Sequence, residues 1–324
     1  MLINFVALLG GLIVLVIAAD MFVNGTASIA RNLGVSPLLI GLTIVGLGTS
    51  APEILVSAIA SLQGNSGLAV GNALGSNIAN IGLILGCTAL ISPLAFHSDL
   101  LKRELPILLL ISVMCFLLSF DGVSRADSVL MLLALALFIF WLIHVGQKQH
   151  NGADEFEEEL TAELPAKMAS WKAWLFFVIG LAGLLLSSRL LVWAAVNIAE
   201  AFDVSDLVIG LTIVALGTSL PELAASIASV IKKEDDLAVG NVIGSNIYNL
   251  LAVYSLPGLI APGVVAPSVL QRDFPVMLGF TGILFLLGFG LNQSGRINRL
   301  EGALLLLAYC AYQFIVYQSA TAML

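Results

Sequence analysis

Two glutamates stand inside long apolar stretches of this 324-residue chain, in the related hexapeptides GTSAPE and GTSLPE that end at Glu53 and Glu222. An acidic residue at the centre of a membrane-spanning helix costs about 2.5–3.5 kcal/mol on insertion scales. Neither stretch contains a Lys or Arg that could neutralise the carboxylate. The missing positive charge is therefore expected to be a bound cation. The alternative for a single glutamate is a protonated side chain that donates to a neighbouring backbone carbonyl.

Hydroxyl groups accompany both glutamates. Thr49 and Ser50 precede Glu53 by four and three residues, so all three can lie on one face of a helix. The second hexapeptide repeats this spacing with Thr218, Ser219 and Glu222. Carboxylates and hydroxyls are hard oxygen ligands of the kind that suit Na⁺ and Ca²⁺.

A proline comes directly before each glutamate, at Pro52 and Pro221. Proline inside a helix removes one backbone donor and clashes with the carbonyl four residues earlier, which predicts free carbonyls around Gly48 and Gly217. Unwound backbone in a membrane must be buried or line a cavity, so these carbonyls would add neutral ligands beside the carboxylates. The alternative is an ordinary proline kink with hydroxyls bonded back to the helix, which explains the Pro and Thr but not the Glu.

A second pair of related segments, GNALGSNIAN from Gly71 and GNVIGSNIYN from Gly240, carries polar stripes. Side chains four residues apart share a helix face, and the two stripes consist of Asn72, Ser76 and Asn80, and of Asn241, Ser245 and Asn249. We assign Ser76, Asn80, Ser245 and Asn249 to the same polar cavity as the glutamates. Asn77 and Asn246 could instead bond between helices, next to small glycines that allow close approach.

These segments reveal an internal duplication. The stretches that begin at Ser36 and Leu68 recur at Ser205 and Leu237, 169 residues later in both cases and without a gap. Two residues separated by this repeat offset are called repeat mates. If each half crosses the membrane five times, an odd number, the second half must be inverted relative to the first. In secondary transporters, inverted repeats meet near the bilayer midplane, where interrupted helices form the substrate site.

The composition indicates an integral membrane protein, with 59% apolar and 10% charged residues and a mean hydropathy of +1.05. Soluble domains carry about 25% charged residues, so soluble enzymes, nucleic-acid-binding proteins and secreted disulfide scaffolds are excluded. We expect an all-α polytopic fold of two inverted five-helix repeats, because a bilayer span needs about 20 apolar residues and ten stretches qualify. These lie near 2–23, 36–62, 68–92, 105–120, 126–146, 172–199, 205–231, 237–261, 273–290 and 299–318.

Basic residues predict the orientation, because short cytoplasmic loops are enriched in Lys and Arg. With the N-terminus outside, ten Lys and Arg residues fall on the cytoplasmic side, Arg125 and Arg272 fall outside, and Arg189 lies within a helix. We therefore expect an N-out, C-out protein of the cell (cytoplasmic) membrane. Its first stretch is expected to remain as a transmembrane helix, since it lacks the basic start of a signal peptide.

The first repeat is expected to occupy residues 1–146 and the second residues 171–324. The segment between them, 147–170, is strongly acidic and cytoplasmic in this orientation. We interpret it as a solvated linker, as most blocks of like charge are. A regulatory or cation-sensing loop is the alternative, although EF-hand spacing is absent.

These motifs resemble the alpha repeats of the sodium/calcium exchangers in the cation/calcium antiporter superfamily. The resemblance rests on the paired GTS-x-PE and GSNI-xx-N segments and covers nearly the whole chain, and it is nearest to the prokaryotic branch often called YrbG-type. It implies ten helices, with the ion site formed by the second, third, seventh and eighth, and with the first and sixth sliding across them. We expect no enzymatic activity, no cofactor, Ca²⁺ and Na⁺ as transported ions, no nucleic-acid partner, and function as a monomer.

The resemblance also implies ligands, residue by residue. The central Ca²⁺ site would use Glu53 and Glu222 with the backbone carbonyls of Thr49 and Thr218. The flanking Na⁺ sites would use Ser50, Ser245 and the carbonyl of Gly46 on one side, and Ser219, Ser76 and the carbonyl of Ala215 on the other. Asn80 and Asn249 would complete the middle of the site. Many exchangers carry an Asp at one of these two last positions, so the site here has one acidic group fewer and potassium co-transport is less expected.

Two charges in the expected sliding helices, Asp20 and Arg189, are also separated by the repeat offset. We hypothesise that they form a pair across the pseudo-twofold axis and so stabilise one of the two alternating-access conformations. The alternative is that each extends separately to its own membrane interface.

The residues and the resemblance together predict a secondary antiporter that exchanges Na⁺ for Ca²⁺ by alternating access. A proton-driven calcium (cation) exchanger is the alternative, because an unoccupied glutamate pair in apolar surroundings should retain a proton. An intramembrane hydrolase is not favoured, since His97, His144 and His150 lie near loop ends and far in sequence from the glutamates.

Overall fold

The computed structural model describes residues 2–35, 37–96, 101–150, 168–200, 215–289 and 295–321, which are helical almost throughout. The helices are α1 (Leu2–Leu33), α2 (Pro37–Ile40), α3 (Gly46–Thr49), α4 (Ala51–Leu62), α5 (Ser66–Ala79), α6 (Gly86–Ile91), α7 (Leu101–Leu118), α8 (Arg125–His150), α9 (Ser170–Glu200), α10 (Ala215–Thr218), α11 (Leu220–Ile231), α12 (Asp235–Tyr248), α13 (Ser255–Ile260), α14 (Phe274–Phe289) and α15 (Arg299–Thr321).

Wider π-helical turns join several of these helices into longer spans. They occupy Gly41–Val45 between α2 and α3, Asn80–Leu85 between α5 and α6, Asn249–Val253 between α12 and α13, and Val269–Asp273 before α14. The turns at Asn80 and Asn249 begin at repeat-related positions, as expected for duplicated halves. Turns of this kind are frequent at functional sites.

Seven helical spans in the described residues are long and apolar enough to cross a bilayer, and a helix pair bent by 48°, Gly41–Thr49 with Ala51–Leu62, makes an eighth. The predicted span 105–120 lies in α7, whose first turn carries charged residues. The predicted span 205–231 begins outside the described residues. The prediction of helical membrane crossings is therefore confirmed, while the count of ten and the orientation stay predictions. The acidic segment 147–170 includes the end of α8, and its residues 151–167 lie outside the described part of the chain.

The helix pair α1 and α9 forms one packing body. An added Cβ on Gly25 would clash with the backbone nitrogen of Phe177, and one on Gly180 would clash with that of Phe22. Small residues let helix backbones approach closely in membranes. The buried apolar residues of this pair form a second cluster, beside the larger core around α5, α7, α12 and α14, and Ile40, Val45, Ala225 and Leu237 of the neighbouring helices belong to it.

The antiparallel pairing of α1 and α9 corrects the hypothesis that Asp20 meets Arg189. Gly11 contacts Leu191 and Phe22 contacts Gly180, so Asp20 and Arg189 are offset by about seven residues, or ~10 Å, along the helix axes. The Asp20 carboxylate instead accepts a hydrogen bond from Lys232. The hypothesised pair is wrong because the helices cross at a different register.

Loops at the two ends of the core are joined in similar ways. The antiparallel strands β1 (Leu94–Ala95) and β2 (Arg296–Ile297) pair at one end, and a bridge between Val123 and Gly263 closes another loop pair. Leu94 of the first contact and Gly263 of the second are repeat mates. The strand pair and the bridge are therefore formed by loops at related places in the two halves.

Candidate ion-binding site

Each repeated hexapeptide ends one helix and starts another. α3 ends at Thr49, Ser50 has φ −78° and ψ 2°, and α4 begins at Ala51 with Pro52 in its first turn. The second half repeats this around Ser219, where φ is −90° and ψ is 4°. Proline is tolerated at a helix start because its missing N–H would be unpaired there in any case.

The helix start corrects one expectation. A mid-helix proline kink would leave the carbonyl of Gly48 free, but backbone N–H groups at the end of α3 donate to the carbonyls of Gly46 and Gly48. The chain closes this turn itself, because Ser50 turns out of the helix before Pro52 is reached. In the second half the backbone N–H of Ser219 donates to the carbonyl of Leu216 at 3.2 Å.

The break places Glu53 and Glu222 in the first turns of α4 and α11. Both are buried, with 1% and 2% of their surface exposed. A carboxylate is favoured at a helix N-terminus, where the macrodipole is positive and N–H groups are free. The Glu222 carboxyl lies close to the Glu53 carboxyl and to the side chain of Thr49. The structure therefore brings the two predicted acids, which are far apart in the sequence, into one site.

Six of the predicted ligands have a buried side-chain oxygen without a hydrogen-bond partner. These atoms are Oγ of Ser50 and Ser219, Oε2 of Glu53 and Glu222, and Oδ1 of Asn80 and Asn249. They form three repeat-related pairs. Buried polar atoms are nearly always hydrogen-bonded, so such a concentration of unsatisfied oxygens suits a bound cation.

Thr49, Gly46 and Ser245 meet on one side of the site. The Thr49 hydroxyl lies 3.1 Å from Oδ1 of Asn241 and 3.3 Å from Oγ of Ser245. Ser245 Oγ is 3.5 Å from the carbonyl oxygen of Gly46. Two members of one predicted Na⁺ site, Ser245 and the Gly46 carbonyl, are thus adjacent, and Ser50 directly follows Thr49 in the chain.

The close approach of helices on this side depends on glycine. An added Cβ on Gly46 would lie 3.1 Å from the backbone of Gly244 and Ser245, and one on Gly244 would lie 2.7 Å from the carbonyl oxygen of Leu42. The backbones of α3 and α12 therefore touch, and Ser245 reaches the carbonyl of Gly46 for that reason.

The remaining predicted ligands lie on α5 and α10. Ser76 on α5 is buried, at 5% exposure. Thr218 ends α10 and is half-buried, and Ala215 begins the same helix. The segment before Ala215 lies outside the described residues, so the second flanking site is described only in part.

Sequence reasoning missed a layer of supporting residues. Asn72 Nδ2 donates to the backbone carbonyl of Glu53 at 3.1 Å and to Oγ of Ser57 at 2.9 Å. In the second half Asn241 Nδ2 donates to Oγ of Ser226 at 3.3 Å. A signal was available, because Ser57 and Ser226 recur at the repeat offset one turn after each glutamate.

Asn77 and Asn246 bond between helices, as the packing interpretation predicted. Asn77 Nδ2 donates to the backbone carbonyl of Asn246 at 3.3 Å, and Asn80 Nδ2 donates to Oδ1 of Asn246 at 2.9 Å. Asn246 therefore also orients a predicted ligand, which leaves Oδ1 of Asn80 free.

Apolar spanning helices around a buried carboxylate pair define a multi-pass integral membrane protein. This chain belongs to the sodium/calcium exchanger family, since the family model described as sodium/calcium exchanger protein matches residues 3–144 and 172–318. The resemblance seen in the motifs is therefore confirmed.

Relatives match over almost their full lengths. The putative antiporter CaxA of Alkalimonas amylolytica is 49% identical over 98% of this chain and 100% of its own. The inner membrane protein YrbG of Escherichia coli is 42% identical over 98% of both chains. A solved structure of the sodium-calcium exchanger NCX_Mj, soaked with 2.5 mM Na⁺ and 0.1 mM Ca²⁺, superposes with a TM-score of 0.82 at 34% identity, covering 96% of this chain and 97% of that one.

Proposed function

We propose that this chain is a secondary antiporter that exchanges Na⁺ for Ca²⁺ across the membrane by alternating access. The observation that carries the proposal is the set of buried, unpartnered oxygens in repeat-related pairs around Glu53 and Glu222. Lys and Arg are absent from the buried side chains of the described residues. A buried carboxylate without a counter-ion is costly, and a cation from solution removes that cost while it is bound.

The ligands would divide into one central and two flanking sets. Glu53 and Glu222 would bind Ca²⁺ at the centre, with the backbone carbonyls of Thr49 and Thr218. Na⁺ would bind at Ser50, Ser245 and the Gly46 carbonyl on one side, and at Ser219, Ser76 and the Ala215 carbonyl on the other, with Asn80 and Asn249 between. The approach of Ser245 to Gly46 supports the first flanking set.

Competition for the two carboxylates would couple the ions. Two carboxylates balance one divalent ion or two monovalent ions, so bound Ca²⁺ and bound Na⁺ would exclude each other. The related NCX_Mj is a sodium-calcium exchanger whose structure was solved after soaking with Na⁺ and Ca²⁺, which supports Na⁺ as the driving ion here.

Alternating access is supported by an asymmetry between the halves. Gly244 is packed against Leu42, whereas an added Cβ on its repeat mate Gly75 meets no atom of the described residues within 4 Å. In an 18-residue window of the span Asp235–Ile260, 94% of the residues are buried, against 72% in a window of the related span Ser66–Ile91. We infer ten helices in two inverted repeats, N-out, with the opposite access state reached when the halves exchange the arrangements of α5 and α12.

The test is ⁴⁵Ca²⁺ uptake into proteoliposomes loaded with Na⁺ and diluted into Na⁺-free buffer. Uptake should require the outward Na⁺ gradient and should be abolished by Glu53→Gln and by Glu222→Gln. Glu301→Gln, which makes the same chemical change at the start of α15, is the matched control and should retain uptake.

Other outcomes are equally informative. Uptake that ignores Na⁺ but follows a proton gradient would establish the proton-driven exchanger instead. Lack of Ca²⁺ flux under either gradient, with correctly folded protein, would overturn the assignment of Ca²⁺ as substrate.

A further inference from the structure

One buried carboxyl group belongs to neither the ion site nor its supporting layer. Glu104, in the first turn of α7, is 0% exposed, and neither of its carboxyl oxygens has a hydrogen-bond partner. Among the described residues it is the one acid with both oxygens buried and unpartnered. No side chain in the described part of the chain donates a hydrogen bond to either oxygen.

The repeat mate of Glu104 is fully paired. Asp273, at the equivalent position of the second half, accepts a hydrogen bond from Nε of Arg272 at 2.7 Å and another from the Tyr312 hydroxyl at 2.9 Å. The residue that corresponds to Tyr312 in the first half is Ile143, which has no donor. The second half thus neutralises this carboxylate with its own side chains, and the first half does not.

The charged groups around Glu104 do not replace these partners. Arg103, the counterpart of Arg272, attracts Glu104 electrostatically, but its side chain is exposed and forms no hydrogen bond with the carboxyl group. Among the described residues, Asp236, in the first turn of α12, repels Glu104 across the contact between the two helices. α14 also packs against α7 and has no titratable residue between Phe274 and Phe289.

The start of α12 concentrates further negative charge. Glu234 and Asp235 precede Asp236, and burial raises the pKa of Glu234, with Asp236 and Asp235 raising it further and Lys232 lowering it. Asp235 Oδ2 accepts a hydrogen bond from the backbone N–H of Ala95. Arg296, on the strand paired with Ala95, is exposed. His97 and Asp99 are near in sequence but lie outside the described residues.

We propose that Glu104, beside Asp236, is a proton-binding site separate from the ion site. A buried carboxylate that receives no hydrogen bond, and whose cation Arg103 stays at the surface, is costly to keep charged, and a proton is the ligand that such a closed position can take. Loss of the proton would place two like charges at the contact of α7 with α12. Because α12 also carries Asn241 and Ser245, and Asn249 directly follows it, protonation of Glu104 would couple pH to the position of the helix that lines the ion site.

Thermal unfolding of the full chain in detergent, over a range of pH, tests the site without any transport. A proton held in the folded but not in the unfolded chain makes stability fall as pH rises. Glu104→Gln has no proton to lose at this position, so it lacks this loss of stability. The Tm of Glu104→Gln minus the Tm of the wild type should therefore increase steadily between pH about 5 and 8. Asp273→Asn, the repeat-related control, should lower the Tm near neutral pH, because it breaks the Arg272 pair. A Glu104→Gln difference that does not change with pH would overturn the proposal.

Infrared spectroscopy gives a second, direct measurement. The difference spectrum between wild type and Glu104→Gln should contain the carbonyl stretch of a protonated carboxylic acid at neutral pH. This band should titrate at lower pH in Asp236→Asn, because removal of a nearby negative charge favours the carboxylate. A wild-type spectrum in which Glu104 contributes only carboxylate bands would rule the site out. Failure of Na⁺-driven uptake would leave both measurements unaffected.

Discussion

The Asp20 carboxylate on α1 is bound by Lys232 at the end of α11, with Nζ 2.5 Å from Oδ1. Asn24 completes the contact, since its Nδ2 donates to Asp20 at 3.0 Å and its Oδ1 accepts from Lys232 at 3.0 Å. The pair joins the α1–α9 body to the helix whose first turn holds Glu222. The repeat mates of these two residues are Arg189 and Gln63, which cannot form the same ion pair, so the two ends of the molecule differ.

Breaking this ion pair should change transport modestly. Side chains as exposed as Asp20 and Lys232 contribute about 0.2–1 kcal/mol as a pair, so Asp20→Asn or Lys232→Gln should alter the rate of Na⁺-driven Ca²⁺ uptake by no more than about fivefold. The double swap Asp20→Lys with Lys232→Asp should restore the rate, and Arg189→Gln is the control outside the pair. If the double swap does not restore the rate, the effect of the single variants does not come from loss of the ion pair.

The helical membrane architecture could be predicted because its causes are local. Apolar runs, the constant repeat offset and the hexapeptides are all visible in the sequence. The sequence predicts a kink within a helix at Pro52, but the structure has a new helix that begins just before it. Whether a proline interrupts a helix or starts one depends here on the backbone conformation of Ser50, which the sequence does not reveal. Likewise the partner of Asp20 depends on the crossing register of α1 and α9, which only packing decides.

The site itself was largely accessible from sequence, because duplication marks it twice. Glu53 and Glu222 are recognisable because inserting an acidic residue into the middle of a membrane costs free energy. The structure places both glutamates in one site. Asn72, Ser57 and Ser226 were missed as supporting residues, since their role rests on contacts across helices. Glu104 was missed because it stands beside Arg103 and Lys102 at a span end, where an acid would ordinarily face water.

Glycine at the α3–α12 crossing should be required for stability, but its repeat mate should not. Gly244→Ala would place Cβ 2.7 Å from the carbonyl oxygen of Leu42, and overpacking of this kind typically costs about 1–3 kcal/mol. Gly75→Ala meets nothing within 4 Å and should be neutral or, through helix propensity, stabilising by up to about 1 kcal/mol. Thermal unfolding of both variants decides the point. Equal losses at the two positions would mean that α5 is packed as closely at Gly75 as α12 is at Gly244.

Calcium should stabilise the folded chain through the carboxylate pair. At a Ca²⁺ concentration of about 100 times Kd, binding to the folded state alone adds about 2.7 kcal/mol. The Tm should therefore rise with Ca²⁺ and return to its starting value when a chelator removes the ion. Glu53→Gln should abolish this rise and Glu104→Gln should retain it. A Ca²⁺-dependent rise that survives in Glu53→Gln would place the ion elsewhere.

Asn246 should matter for ion affinity more than its repeat mate Asn77. The side-chain oxygen of Asn246 accepts the hydrogen bond that orients Asn80, whereas Asn77 donates to the backbone carbonyl of Asn246 and to the sulfur of Met277. A hydrogen bond of this kind contributes about 0.5–1.5 kcal/mol, so Asn246→Ala should weaken Ca²⁺ binding by up to about tenfold. Asn77→Ala should have a smaller effect on affinity, although it removes the same volume. Calorimetric titration with Ca²⁺ measures both, and equal losses would mean that Asn80 does not depend on Asn246 for its orientation.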